Sequence, residues 1–86
     1  MAKIVLTHPV ADFDSWRAVF DQDAARRAAY GRTNVSVLRD ADDPIQVWLV
    51  ADGEPDKVQE MMQDPGLAPE MERAGVTSPP ELFIAG

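Results

Sequence analysis

Four short segments rich in β-branched and other apolar residues predict β-strands in this chain. Residues 3–7 and 45–51 contain unbroken apolar runs, whereas residues 34–39 alternate between apolar and polar positions. A fourth apolar segment occupies residues 81–84. The sequence DADDP at residues 40–44 is typical of a turn, so the second and third strands are expected to form an antiparallel hairpin.

Apolar residues at helical spacing predict a long helix between the first two strands. They recur every three or four residues, so they share one face: Phe13, Trp16, Phe20, Ala24 and Ala28. Asp12 or Asp14 can cap the start of this helix by accepting backbone N–H bonds. Gly31 is suited to the position that follows the last turn of a helix.

A second helical region is predicted between the third and fourth strands. Pro55 is placed in the first turn, where the missing N–H of proline has no cost. An apolar face follows at Val58, Met61 and Met62, and the sequence Asp-Pro-Gly at 64–66 ends the helix. Three further apolar residues at helical spacing predict a short additional helix that ends at Gly75: Leu67, Met71 and Ala74.

The resulting order, β-α-β-β-α-(α)-β, predicts an α+β ferredoxin-like fold with a four-stranded antiparallel sheet in one domain, residues 1–86. Helices cover only one face of such a sheet, yet the first and third strands are apolar on both faces. An exposed apolar face usually marks an interface. We therefore expect two copies to join through their sheet faces as a homodimer, which makes a dimeric α/β barrel.

Composition and charge exclude several classes of function. The chain has 86 residues, no cysteine and a formal net charge of −7. It therefore has no disulfide or thiolate metal site, and its negative charge opposes nucleic-acid binding. Apolar runs are too short to span a membrane or to form a signal peptide, so a cytoplasmic location is expected. No residue pattern indicates a cofactor or a metal ion.

The single histidine, His8, is the strongest candidate for acid–base chemistry because its ordinary pKa lies near neutrality. It ends the first strand close to the start of the first helix. Asp12 or Asp14 could orient its imidazole, as a carboxylate does in catalytic triads. The structural alternatives are a hydrogen-bonded histidine at a strand end and aspartates that only cap the helix.

Other residues are candidates for the wall of a pocket that binds a small hydrophobic molecule. These are the aromatic and flexible side chains Trp16, Phe20 and Met62, together with Tyr30, Arg39 and Trp48. Ordinary core packing is the alternative for the residues at helical spacing. Trp48 fits either the barrel interior or the seam between two subunits.

Three segments resemble small bacterial dimeric α/β-barrel proteins of the cyclase-like type, which are relatives of the antibiotic biosynthesis monooxygenases. They are HPVADFDSW at residues 8–16, RDADDP at 39–44 and MERAGV at 71–76. The resemblance implies a dimeric α/β barrel and an activity of the cofactor-independent monooxygenase or cyclase type on a small hydrophobic or aromatic substrate. It also covers stress-responsive proteins without known activity.

Three functions therefore compete: an enzyme, a protein that binds a small molecule without catalysis, and a structural dimer. A cavity that His8 reaches favours the enzyme, an apolar cavity without polar groups favours the binding protein, and a filled interior favours the structural dimer.

Overall fold

A computed structural model of the chain describes residues 2–86 as four strands and four helices. The strands are β1 (Ala2–Pro9), β2 (Thr33–Arg39), β3 (Gln46–Gly53) and β4 (Glu81–Ala85). The helices are α1 (Phe13–Gln22), α2 (Ala24–Ala29), α3 (Pro55–Met62) and α4 (Leu67–Ala74). None of these helices has the length and apolar character needed to cross a membrane.

The four strands form one sheet in the order β2-β3-β1-β4, and every neighbouring pair is antiparallel. This confirms the predicted α+β ferredoxin-like fold and the hairpin between β2 and β3. The strands extend up to two residues beyond their predicted ends where backbone pairing continues past the apolar run. In β1, for example, the ladder with β3 runs from Ala2 opposite Gly53 to Pro9 opposite Gln46.

The predicted long helix is divided into α1 and α2 at Asp23. The Asp23 N–H donates to the carbonyl of Phe20, three residues earlier, and its ψ of 17° leaves the helical region. Its carboxylate binds Arg26 at 3.1 Å, a local bond of the kind that lets aspartate compete with helical backbone pairing. The prediction of one continuous helix was wrong for this reason, and Ala24 and Ala28 are exposed.

The end of α2 has the hydrogen bonds of a Schellman motif. Gly31 adopts a φ of +72° as predicted for the residue after the helix, and its N–H donates to the carbonyl of Ala28 at 3.0 Å. The N–H of Arg32 donates to the carbonyl of Arg27, also at 3.0 Å. This motif usually brings together two apolar side chains at the positions that Arg27 and Arg32 occupy here. The fold therefore places two arginines side by side where the chain enters β2.

The two faces of the sheet differ in what covers them. Leu6, Val47 and Leu49 pack against Trp16 and Ala74 and are buried beneath the helices. Alternate residues of the same strands point to the opposite face. We call that opposite face the open face; its large apolar side chains include Val5, Leu38, Trp48, Val50 and Phe83.

Trp48 therefore lies on the open face rather than beneath the helices. Its indole N–H donates to the Asp40 carboxylate at 3.0 Å, and this bond lowers the pKa of Asp40. Leu38 and Phe83 remain 54% and 52% exposed on the same face. The monomer thus presents a partly uncovered apolar surface, as the sequence pattern indicated.

Candidate functional site

A cavity of about 60 Å³ lies between the sheet and the helices, several times the volume that one water molecule needs. Its apolar wall comes from both central strands and from three helices, with Val76 following α4. The apolar lining residues are Leu6, Trp16, Val19, Phe20, Leu49, Met61, Met62, Leu67, Met71, Ala74 and Val76. The polar lining residues are His8, Asp23, Arg27, Arg32 and Glu70.

Aromatic side chains on α1 line one wall of the cavity. The rings of Trp16 and Phe20, four residues apart on the helix, are stacked with their centroids 4.9 Å apart. The His8 ring meets Trp16 edge-on at 5.7 Å, and the Arg27 guanidinium covers Phe20 at 3.7 Å from the ring centroid. This wall therefore combines flat apolar surface with a basic group at each end.

His8 is buried, with 3% of its surface exposed, opposite Val47 in the sheet. Its Nδ1 atom is buried and has no hydrogen-bond partner among residues 2–86. Burial lowers the pKa of His8, and the Pro9 backbone only partly opposes this shift. The imidazole is therefore neutral at pH 7, and a neutral imidazole carries one nitrogen that accepts a proton.

The structure does not bring the two aspartates to His8. Asp12 is exposed and caps α1, with its carboxylate accepting the Ser15 N–H at 2.9 Å. That hydrogen bond lowers the pKa of Asp12. Asp14 is an exposed residue of the first turn of α1. The structure therefore gives Asp12 the capping role that the sequence allowed, whereas Asp14 lies within the first turn and is not the cap.

Three of the six predicted wall residues line the cavity, namely Trp16, Phe20 and Met62. The other three lie elsewhere. Trp48 is on the open face, and Arg39 packs over the Phe13 ring at 4.3 Å. The Tyr30 hydroxyl donates to the Asp64 carboxylate at 3.0 Å, which raises the pKa of Tyr30 and ties α2 to the α3–α4 loop.

Arg27 and Arg32 were not among the residues predicted from the sequence. Arg27 lies seven residues after Phe20, on the same face, and its Nη1 donates to the Phe20 carbonyl at 2.8 Å. Arg32 directly follows Gly31, so the predicted helix end already pointed to a packed position there. The spacing from Phe20 and the helix end at Gly31 thus marked both positions in the sequence. Charged residues are usually solvated, so neither arginine was predicted to line a cavity.

Arg32 is 6% exposed, and within the described residues 2–86 its side chain reaches an acceptor only through a weak contact, from Nη1 to the Met61 sulfur at 3.7 Å. Its Nε and Nη2 atoms are buried without a partner among residues 2–86. Burial and the nearby Arg27 charge both lower the pKa of Arg32. An arginine stays protonated even so, and no carboxylate of residues 2–86 forms an ion pair with this guanidinium.

The two acidic residues of the cavity wall are already paired with other arginines. Asp23 binds Arg26 at 3.1 Å, and Glu70 binds Arg73 at 2.6 Å. Residues 2–86 contain no group of three or more histidine, aspartate or glutamate side chains placed to hold a metal ion. The cavity is thus mainly apolar, and its polar groups are the neutral His8 imidazole, the Arg27 and Arg32 guanidiniums and two acids that other arginines bind.

Fold and cavity together define a ferredoxin-like α+β protein with an apolar cavity between its sheet and its helices. No protein-family model matches the sequence, and no curated protein has significant sequence similarity to it. Solved structures do match, and they include antibiotic biosynthesis monooxygenase proteins, so the resemblance inferred from the sequence is confirmed for the fold.

One match is SnoaB, a cofactor-independent oxygenase from Streptomyces nogalater. It is 24% identical and has a TM-score of 0.71, and the alignment covers 99% of this chain and 92% of SnoaB. A protein from Bordetella bronchiseptica, described as an antibiotic biosynthesis monooxygenase, is 16% identical with a TM-score of 0.72. That alignment covers 99% of this chain and 94% of the Bordetella protein.

Proposed function

We propose that this protein is a cofactor-independent monooxygenase for a small hydrophobic aromatic substrate, and that His8 is its catalytic base. The observation that carries the proposal is the position of His8: a buried, neutral imidazole with an unpartnered nitrogen, on the wall of an apolar cavity. The fold shared with SnoaB, a cofactor-independent oxygenase, supports the same reaction class.

Without a cofactor, the substrate itself must supply the electrons that reduce dioxygen. A methylene group next to a carbonyl and an aromatic ring can do so after it loses a proton to His8. The carbanion then passes electrons to dioxygen, and the reaction R₂CH₂ + O₂ → R₂C=O + H₂O balances. One oxygen atom remains as the new carbonyl, and the other leaves as water. The stacked Trp16 and Phe20 rings provide an apolar surface for the aromatic substrate.

A multi-ring substrate needs more space than the 60 Å³ that the cavity provides. Three methionines on α3 and α4 form another part of the cavity wall: Met61, Met62 and Met71. Unbranched methionine side chains change shape at low cost, so this wall is suited to widen around a ring system. The proposed site therefore has one fixed aromatic wall and one adaptable wall.

The proposal includes a homodimer formed through the open face. Val5 pairs with Val50 and Phe83 across the centre of that face, and Leu38 pairs with Trp48 at its side. Contiguous exposed apolar surface of this kind usually forms an interface. The cavity lies on the other side of the sheet, so each subunit keeps its own site.

The activity is tested with anthrone, whose activated methylene would become the carbonyl of anthraquinone. Oxygen uptake and anthraquinone absorbance are followed together for the wild type and His8→Gln. Loss of a general base typically lowers the rate by about 10²- to 10⁴-fold. We expect a loss in that range for His8→Gln, with a folded protein by circular dichroism.

Asp12→Asn is the matched control for this experiment. Asparagine caps a helix as well as aspartate does, and the Asp12 carboxylate is exposed and accepts the Ser15 N–H. Turnover should therefore stay within about twofold of the wild type. Equal turnover by His8→Gln and wild type would contradict the catalytic role of His8. Binding of anthrone without turnover by any variant would favour a non-catalytic binding protein.

A further inference from the structure

One edge of the Arg32 guanidinium has the geometry that binds an anion. Nε and Nη2 are the two nitrogens whose N–H bonds run parallel along one edge of a guanidinium, and this is the edge that binds a carboxylate through two hydrogen bonds. Those are the two Arg32 atoms that are buried without a partner. The third nitrogen, Nη1, is occupied only by the weak contact with the Met61 sulfur.

The charges around Arg32 also favour an anion at this edge of the guanidinium. Arg27 lies close enough to lower the Arg32 pKa, so the fold holds two positive charges together in a protein with a net charge of −7. Asp23 and Glu70, the acids of the cavity wall, are engaged by Arg26 and Arg73. A buried charge of this kind is costly unless an anion completes it.

We propose that the cavity binds an aromatic carboxylate, and that Arg32 receives the carboxylate through its Nε and Nη2 atoms. This inference rests on the proposed function for the aromatic part of the ligand and narrows the substrate class to acids. Met61 lines the same cavity, with its sulfur 3.7 Å from Nη1, and this flexible side chain can shift to make room for the ring of the ligand beside the guanidinium.

In this arrangement, two different polar groups of the cavity act on the carboxylate and on the reacting carbon of the ligand. Arg32 holds the anionic substituent, whereas His8 is left free to take a proton elsewhere on the ligand. Arg32 is thus a specificity-determining residue and has no part in proton transfer. Arg27 lowers the cost of the bound anion through its charge, while its own N–H remains bonded to the Phe20 carbonyl.

Two acid–amide pairs test the proposal: benzoate with benzamide, and 1-naphthoate with 1-naphthamide. Each pair has the same ring and nearly the same shape but differs in charge. The Kd of each of the four compounds is measured at pH 7.5 by NMR titration, in which the backbone amide signals of the protein report even weak binding. We expect each carboxylate to bind at least about 10-fold more tightly than its amide, since charge-assisted bidentate pairs are the strong ones.

Arg32→Met and Lys57→Gln form a matched pair of variants. Both remove one positive charge, but Lys57 is an exposed residue of α3 outside the cavity wall. Arg32→Met should abolish the preference for the acid, and Lys57→Gln should keep it within about twofold. Arg32→Lys should retain only part of it, because an ammonium lacks the parallel N–H pair.

The Tm of Arg32→Met distinguishes an arginine that awaits an anion from one that only stabilises the fold. Removing a buried charge without a partner should raise the Tm of Arg32→Met by about 4 °C or more, whereas removing a structural partner would lower it. Equal affinity for acid and amide, no binding of either, or an unchanged preference in Arg32→Met would overturn the proposal. Oxidation of anthrone, which has no carboxylate, is independent of this result.

Discussion

The burial of His8 has a consequence for stability that can be measured without a substrate. Its pKa in the folded protein lies below the ordinary value of 6.5, because burial disfavours the charged imidazolium. Below pH 6.5 the unfolded chain therefore binds a proton that the folded protein does not. Stability is fully present above that pH and is lost as the pH falls from 6.5 through the folded pKa.

We expect the free energy of unfolding to fall as the pH is lowered below 6.5, with a slope of up to about 1.4 kcal/mol per pH unit, the limit for one proton. Urea unfolding at several pH values measures it. Asp12, Asp40, Asp52 and Asp64 have lowered pKa values, so their stabilising contributions are lost only at more acidic pH. His8→Gln should remove the slope, and a variant with the wild-type slope would refute the assignment.

Side chains on a periodic apolar face were predictable from the sequence, because a helix or a strand fixes the direction in which they point. Trp16, Phe20 and Met62 line the cavity for that reason. The positions of Tyr30 and Arg39 depend on partners from elsewhere in the chain, such as the Asp64 carboxylate for Tyr30. No local pattern in the sequence specifies such long-range hydrogen bonds.

Among the elements, the turn that ends α2 controls the direction of Arg32. Gly31 adopts a φ of +72°, and the nearest side-chain atom to an added Cβ would be Lys57 Cδ at an ordinary 3.7 Å. Gly31→Ala therefore introduces backbone strain without a clash. We expect a loss of about 1–2 kcal/mol in the free energy of unfolding, the usual cost of a left-handed non-glycine residue.

Chemical denaturation of Gly31→Ala measures this loss, and Gly86→Ala is the control. Gly86 has no neighbouring atom within 4 Å of an added Cβ, so its substitution should leave stability unchanged. An unchanged midpoint in Gly31→Ala would show that the Schellman motif contributes nothing to stability.

Element order and type followed from periodicity, because a two-layer fold requires a core-facing stripe on each helix and each strand. Predicted helix ends at Gly31 and Gly75 are confirmed by positive φ values of 72° and 83°. The break at Asp23 was not predictable in the same way. The apolar spacing continues through it, and only the local bonds of Asp23 with Phe20 and Arg26 reveal it.

Considered as a whole, the molecule separates its charges between surface and interior. Its net charge is −7, yet the described cavity holds Arg27 and Arg32 with only paired acids beside them. A negative surface slows the approach of an anionic ligand, whereas an uncompensated guanidinium inside strengthens its binding. Raising the salt concentration should weaken the repulsion by the negative surface more than the attraction by the buried guanidinium, because exposed charges are screened more than buried ones.

The largest-scale prediction concerns the open face of the sheet. Phe83 and Leu38 are 52% and 54% exposed, so a glutamate at either position would remain hydrated in a folded monomer. Across a dimer seam the same carboxylate would be buried without a partner, at a cost of several kcal/mol. We expect the wild type at micromolar concentration to have twice the chain mass by light scattering, and the double variant Leu38→Glu/Phe83→Glu to be a folded monomer.

Ile45→Glu is the control that separates this interface from a general loss of apolar surface. Ile45 is 46% exposed but lies in the turn before β3, outside the open face. The Ile45→Glu variant should therefore remain a dimer. A wild type that stays monomeric would contradict the barrel, and a dimeric double variant would place the interface elsewhere. If the dimer forms as proposed, its seam covers the side of the sheet opposite the cavity, so the double variant should still bind 1-naphthoate through Arg32.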